Sequence, residues 1–320
     1  MKAAVLHKLG EAPRFAEFAE PVAGAEEALL RVRASSLKNI ERQLAAGTHY
    51  ASPRELPVVC GTDGVGVLED GTRVFFGGAR RPFGSMAELT VAPRAFCFPL
   101  PDALEDATAA ALPNPGVSAW LTLTHRAKFA AGETALILGA TGVTGQLAVQ
   151  IAKLLGAKRV VAAGRNERAL GRLHELGADE TIQLAQPDDK LKEVFARAAR
   201  EEGFDVIVDY LWGHPTEVLL AAITKSEFAP VTKQTRLVQV GESAGPTISL
   251  PAAVLRSTAL TILGTAGIPA LPVLMDAMEQ VLTRGARGEL RIETESVPLA
   301  DVEQAWTRKE SSGRRIVLIP

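Results

Sequence analysis

Residues 135–155 read Ala-Leu-Ile-Leu-Gly-Ala-Thr-Gly-Val-Thr-Gly-Gln-Leu-Ala-Val-Gln-Ile-Ala-Lys-Leu-Leu, and this stretch constrains the fold of the chain more than any other. The unbroken apolar run 135–138 suits a strand buried on both faces, and Leu147, Ala148, Ile151, Ala152 and Leu155 then recur at helical spacing. Gly139, Gly142 and Gly145 lie between the two. Glycines there permit a tight turn, close approach of the backbone to a diphosphate and close helix-to-strand packing, while the free N–H groups of the helix start face the anion. A lone glycine triplet is weak on its own, since glycines also turn chains that bind nothing. Context strengthens it: Gly156 is placed to cap the helix, and residues 159–163 form a second apolar strand about 20 residues past the turn, where a ribose-reading residue belongs. The unit predicts a dinucleotide site built on Gly139, Thr141, Gly142, Val143, Thr144 and Gly145.

Beyond this unit, strands and helices alternate. Helices are expected at 167–176, 191–199 and 217–223, and strands at 180–182, 205–210, 236–240 and 261–263, which is the pattern of a doubly wound parallel sheet. Residues up to about 101 are strand-like and rich in turns, with strands expected at 28–35, 73–76 and 87–91, and so predict a compact β domain. A helix at 105–112 is broken by Pro113, Asn114, Pro115 and Gly116, read as the crossing between domains. Gly264, Thr265, Ala266, Gly267, Ile268 and Pro269 lead out of the sixth strand. The remaining helices (273–283, 299–306) and strands (292–297, 315–319) are too few to stand alone. They are expected to complete the N-terminal domain, giving one domain of 1–116 with 264–320 and an inserted domain of 117–263.

With 320 residues and 47% hydrophobic content the chain can bury a large core. Its 35 basic residues nearly match its 37 acidic ones, for a net charge of −2, and no block of five like charges occurs. Neither nucleic acid nor a membrane surface is therefore an expected partner. Residues 1–8 hold a short apolar run and then a charge, unlike a secretory or membrane-spanning segment. Cys60 and Cys97 form neither a disulfide framework nor a Cys-x-x-Cys pair, and a cytoplasmic location is expected.

Several separated motifs occur in a telling order: Cys60-Gly61-Thr62-Asp63-Gly64-Val65-Gly66, Gly84-Ser85-Met86-Ala87-Glu88, Ala109-Ala110-Ala111-Leu112-Pro113, Ser118-Ala119-Trp120, residues 132–153, Leu176-Gly177-Ala178-Asp179, and Ser312-Gly313-Arg314-Arg315-Ile316-Val317. Over nearly its full length the chain thus resembles the zinc-independent branch of the medium-chain dehydrogenase/reductase superfamily, the quinone oxidoreductases related to zeta-crystallin. The resemblance implies a Rossmann sheet inserted in a GroES-like, mainly-β catalytic domain. It also implies an NADPH-dependent reductase of quinones or other electron-poor conjugated carbonyls such as enones, with the substrate between the domains. A homodimer formed through an edge strand near 248–250 is implied as well. Asn39, Asn114 and Ser118 would run beside the nicotinamide and phosphates, though each equally suits a cap or turn, and Arg314 would reach a phosphate. The chain departs from the family pattern at Lys38 in place of an asparagine, Glu41 in place of an aspartate and Leu184 in place of a tyrosine.

Zinc is not expected. A catalytic zinc needs about three Cys, His or acidic ligands. Where the zinc enzymes carry Gly-His-Glu this chain has Gly61, Thr62 and Asp63, and its five histidines are scattered. Cofactor choice turns on Gly164, Arg165 and Asn166. No acid stands there to read a ribose 2′-hydroxyl, and Arg165 can clamp a 2′-phosphate, which favours NADPH over NADH. Tyr210, Gly241, Gly264 and Thr265 fall at strand ends, where a doubly wound sheet presents its ligand crevice, and Trp212 is placed to shape the pocket. Lys38 and Tyr50 are the candidate catalytic helpers, one offsetting charge on a reduced acceptor and the other donating through its hydroxyl. Plainer accounts remain for both: Lys38 solvated or paired with Glu41, Tyr50 packed on the surface. Alternative activities are an alkenal or enoyl thioester reductase, or a low-turnover NADPH-binding protein of crystallin-like or regulatory kind.

Overall fold

The computed structural model describes residues 1–200, 203–224, 233–265, 267, 269–308 and 313–320, apart from the side chain of Arg200. Ala266 and Ile268 of the expected exit loop and Ser312 of the C-terminal motif lie outside the described residues.

The N-terminal part runs β1 (Lys2–Leu6), β2 (Arg14–Glu17), β3 (Glu27–Leu37), α1 (Asn39–Ala46), β4 (Val58–Val59), β5 (Asp63–Val67), β6 (Arg73–Gly77), β7 (Leu89–Pro93), β8 (Cys97–Pro99), α2 (Asp106–Ala111) and α3 (Pro113–Leu121). Strict alternation follows: β9 (Thr134–Leu138), α4 (Val143–Leu154), β10 (Arg159–Gly164), α5 (Glu167–Leu173), β11 (Glu180–Gln183), α6 (Asp188–Arg200), β12 (Val206–Asp209), α7 (Gly213–Ile223), β13 (Gln234–Gln239), α8 (Ala252–Ser257) and β14 (Ala259–Gly264). The chain ends with α9 (Leu271–Ala286), β15 (Glu293–Pro298), α10 (Val302–Thr307) and β16 (Arg314–Ile319).

Two compact units result, Met1–Asn114 with Leu282–Pro320, and Pro115–Val281. In the second, six strands pair in parallel in the order β11-β10-β9-β12-β13-β14. This is a doubly wound order whose direction reverses between β9 and β12, the point at which such sheets bind ligands. All five residues of β9 and all four of β12 are buried, which is why these strands read as continuous apolar runs.

In the first unit β2-β1-β4 form one sheet, and β15-β16-β3-β5-β6-β8 run through a second in which β7 also pairs with β3. The tail joins this sheet through the antiparallel pairs Ile316↔Leu37, Val317↔Ser36 and Leu318↔Ser35. A shared core of Ala4, Leu6, Leu37, Trp306, Ile316 and Leu318 closes beneath it. Among the described residues no helix is long and apolar enough to cross a membrane.

Two expectations need correction. The helix expected at 105–112 does stop, α2 ending at Ala111, but residues 113–116 are not the break: they open α3, where the missing N–H of Pro113 and Pro115 breaks no intrahelical bond. The return between units falls at Leu282 instead of 264. The reason is packing along α9: a Cβ at Gly116 would meet Val281 at 2.7 Å, whereas one at Gly285 would run into Leu112, so successive turns of one helix belong to different cores.

Candidate functional site

In the sheet unit the site begins where β9 becomes α4. Gly139 turns at φ +85°, and the N–H groups of Gly139 and Ala140 both donate to Ala163 O at 2.9 Å, tying the loop to the end of β10. Gly145 sits so close beneath that a Cβ would meet Gly139 O and Ala140 Cα, which excludes any side chain there. The N-cap of α4 is Gly142, so no cap side chain accepts from the first-turn N–H groups, and a Cβ at Gly142 meets only Gly139 O at 3.4 Å. An open, uncapped helix start of this kind fits an anionic diphosphate. Val143 and Thr144 form its first turn, and Thr141 packs its side chain against Gly164 at the end of β10.

Arg165 follows, exposed and with no ion pair among the described residues. Asn166 is the N-cap of α5, its Oδ1 accepting from Ala169 N at 3.0 Å. The first acid, Glu167, lies inside the helix, where it complements the dipole.

After β12 the chain makes a turn held by one carboxylate. Asp209 is fully buried; its Oδ1 accepts from the N–H groups of Leu211 and Trp212, each at 2.8 Å, and its Oδ2 from Thr216 Oγ1 at 2.6 Å. Burial pushes its pKa up, against the lowering effect of these three hydrogen bonds. Tyr210 lies between two glycines: a Cβ on Gly139 would meet Tyr210 Cβ at 3.2 Å, and one on Gly241 would meet Tyr210 O at 2.7 Å. The structure therefore brings Gly139, Tyr210 and Gly241 together at one end of the sheet. Gly264 and Thr265 end β14 in exposed positions, Gly264 O accepting from Arg126 Nε at 2.8 Å, and Ser118 is half-buried within α3.

The β unit holds a cluster of a different kind. Lys38 is the N-cap of α1 and only 2% exposed. Its Nζ lies 2.5 Å from Asp63 Oδ1 and 3.0 Å from Glu41 Oε1, and Thr62 Oγ1 donates to Glu41 Oε1 at 2.8 Å. Desolvation pulls the lysine pKa down, but the charges and hydrogen bonds of Asp63 and Glu41 prevail and raise it. Glu41 thus neutralises Lys38, and Asp63 is a second partner that residue spacing did not show. Glu41, Cys60 and Thr62 line a pocket of 170 Å³; Lys38 is not among its walls. Burial pushes the Cys60 thiol far up, which leaves it inert.

Tyr50 is 97% exposed, its ring 4.1 Å from that of His49. It lines a neighbouring cavity of 650 Å³ that shares Val58 and Arg81 with the Thr62 pocket, and Lys38 lines neither. Asn39 is the first residue of α1 and exposed, Asn114 is exposed on α3, and Arg314 lies 3.8 Å from Glu293 across the β15–β16 pair. Among the described residues no group of three or more His, Cys, Asp or Glu is placed to hold a metal.

Residues 143–280 match the zinc-binding dehydrogenase family profile. A quinone oxidoreductase from Rattus norvegicus is 31% identical over 201 residues, 60% of this chain and 59% of that protein, so the chain matches somewhat under two thirds of the length of such relatives. A quinone oxidoreductase from Thermus thermophilus, solved alone and with NADPH, superposes with a TM-score of 0.81 at 28% identity, covering 100% of both chains. A structure described as an NAD-dependent alcohol dehydrogenase gives 0.83 at 27%, again over 100% of each. By these likenesses the chain is similar to the medium-chain dehydrogenase/reductase superfamily. Within that superfamily it is similar in kind to the quinone oxidoreductases, a likeness that leaves its acceptor open.

Proposed function

We propose that the protein is an NADPH-dependent oxidoreductase that reduces a quinone or another conjugated carbonyl without zinc. The observation that carries this is the end of β10: Arg165 stands exposed where a ribose-reading acid would be, and the nearest acid, Glu167, is within α5. The two solved relatives differ in the nicotinamide cofactor their descriptions name, and Arg165 favours the phosphorylated form. When bound, the cofactor supplies the hydride. In this reading the first turn of α4 binds the diphosphate and Arg165 the 2′-phosphate. Lys38 acts as a positioning residue, holding Glu41 and Asp63 so that Thr62 keeps its place in the pocket wall. Gly61-Thr62-Asp63 offers no histidine to a metal, which supports the zinc-independent reading.

Fluorescence titration should show tighter binding of NADPH than of NADH, and a panel of quinones, enones and acyl thioesters followed by NADPH consumption should rank quinones or enones first. Preference for NADH, or turnover of thioesters alone, would refute the assignment. Arg165→Ala should raise the KM for NADPH with little change in kcat, losing about 1.5–3 kcal/mol, the range of a charged hydrogen bond. An equal loss with NADH would remove the 2′-phosphate role. The edge strand expected near 248–250 is not a strand in the structure, so we propose instead a homodimer formed through β14, an edge strand of the six-stranded sheet.

A further inference from the structure

The turn after β12 carries two features that the contacts above leave unexplained. Tyr210 Oη is buried and has no hydrogen-bond partner among the described residues, a condition native proteins avoid because an unsatisfied buried hydroxyl destabilises them. Two residues on, Trp212 adopts φ +54°, a left-handed conformation costly for a bulky side chain. Asp209 maintains that turn through the N–H groups of Leu211 and Trp212. An orphaned hydroxyl and a strained backbone therefore share one short turn.

The position of the turn suggests the missing partner. β9 and β12 are the neighbouring strands at which the sheet order reverses, and Tyr210 directly follows β12 with its Cβ against the first glycine of the loop. A doubly wound sheet offers its ligand crevice at that reversal. Burial also pushes the phenol pKa up, so the group stays a donor. On the NADPH assignment above, we propose that the Tyr210 hydroxyl donates a hydrogen bond to an oxygen of the diphosphate–ribose chain of the bound dinucleotide, and that the Asp209-clamped turn holds this donor unpaired until the ligand arrives.

The hydroxyl is then a liability in the free protein and an asset in the complex, so a single substitution should move the two states in opposite directions. Tyr210→Phe removes only the oxygen. Thermal unfolding of wild type and variant, with and without NADPH, is compared with dissociation constants from nicotinamide fluorescence. The ligand-free midpoint of Tyr210→Phe should equal or exceed that of wild type, while its NADPH dissociation constant rises about five- to tenfold and its NADPH-induced upward shift shrinks. A lower ligand-free midpoint would mean that the hydroxyl is a structural group, and an unchanged dissociation constant would mean that it does not meet the ligand; either overturns the proposal. Wild type that fails to bind NADPH overturns the cofactor assignment and the hydroxyl's role with it, whereas wild-type binding matched by the variant overturns only the latter.

Discussion

Lys38 carries a charge into a place where an isolated charge would be expensive, and it is tolerated because Asp63 and Glu41 meet it there. Removing one member of such a cluster costs more than the cluster contributes, since the remaining charges stay buried without compensation. Lys38→Met should therefore destabilise the protein by about 3–5 kcal/mol in urea unfolding, and adding Glu41→Gln and Asp63→Asn should recover most of the loss. The raised pKa of Lys38 also fixes a sign: its contribution is complete below the ordinary lysine value of 10.5 and is lost as pH rises through the higher folded value, so alkaline unfolding should begin above that range. Asp209 is raised too, chiefly by burial. Its stabilising contribution is fully present only below the ordinary aspartate value of 3.8 and is lost as pH climbs through the folded value. Melting temperatures measured from about pH 4 to about pH 7 should therefore shift in favour of Asp209→Asn relative to wild type, and a constant difference would contradict the raised pKa.

Among the elements, β14 makes the plainest prediction. It is one of the two edge strands of the six-stranded sheet and its residues 259–263 are half-buried, although edge strands in monomers are commonly guarded by charge. Sedimentation should give a dimer for wild type and a monomer for Leu263→Lys; a monomeric wild type would end the proposal. The elements that sequence reasoning located best are those with one dominant local cause. β9 is buried along its whole length and the following turn is forced by close approach, so apolar run and glycines coincide. α1 was not legible as a helix because the face it turns inward carries Glu41, and a buried acid breaks the apolar periodicity on which such a reading depends. α8, a helix of six residues, offers too short a pattern. The Asp209 turn escaped for another reason: an aspartate closing an apolar strand gives no sign that two N–H groups and a threonine seven residues on will converge on it.

For the molecule as a whole, the order of elements along the chain was legible because alternation and motif order survive without any long-range information. The exact return between units was not, since it depends on which turn of α9 meets which core. That arrangement has a consequence for biosynthesis. β3 receives one of its neighbours from β16, through pairs such as Ile316↔Leu37. The Pro115–Val281 unit is contiguous and leaves the ribosome complete, whereas the β unit waits for β16, which is translated after the whole of that unit, before its sheet can close. Nascent chains halted before β16 should carry a finished nucleotide-type fold upstream of the stall and, nearer their start, an open strand flank exposed to chaperones.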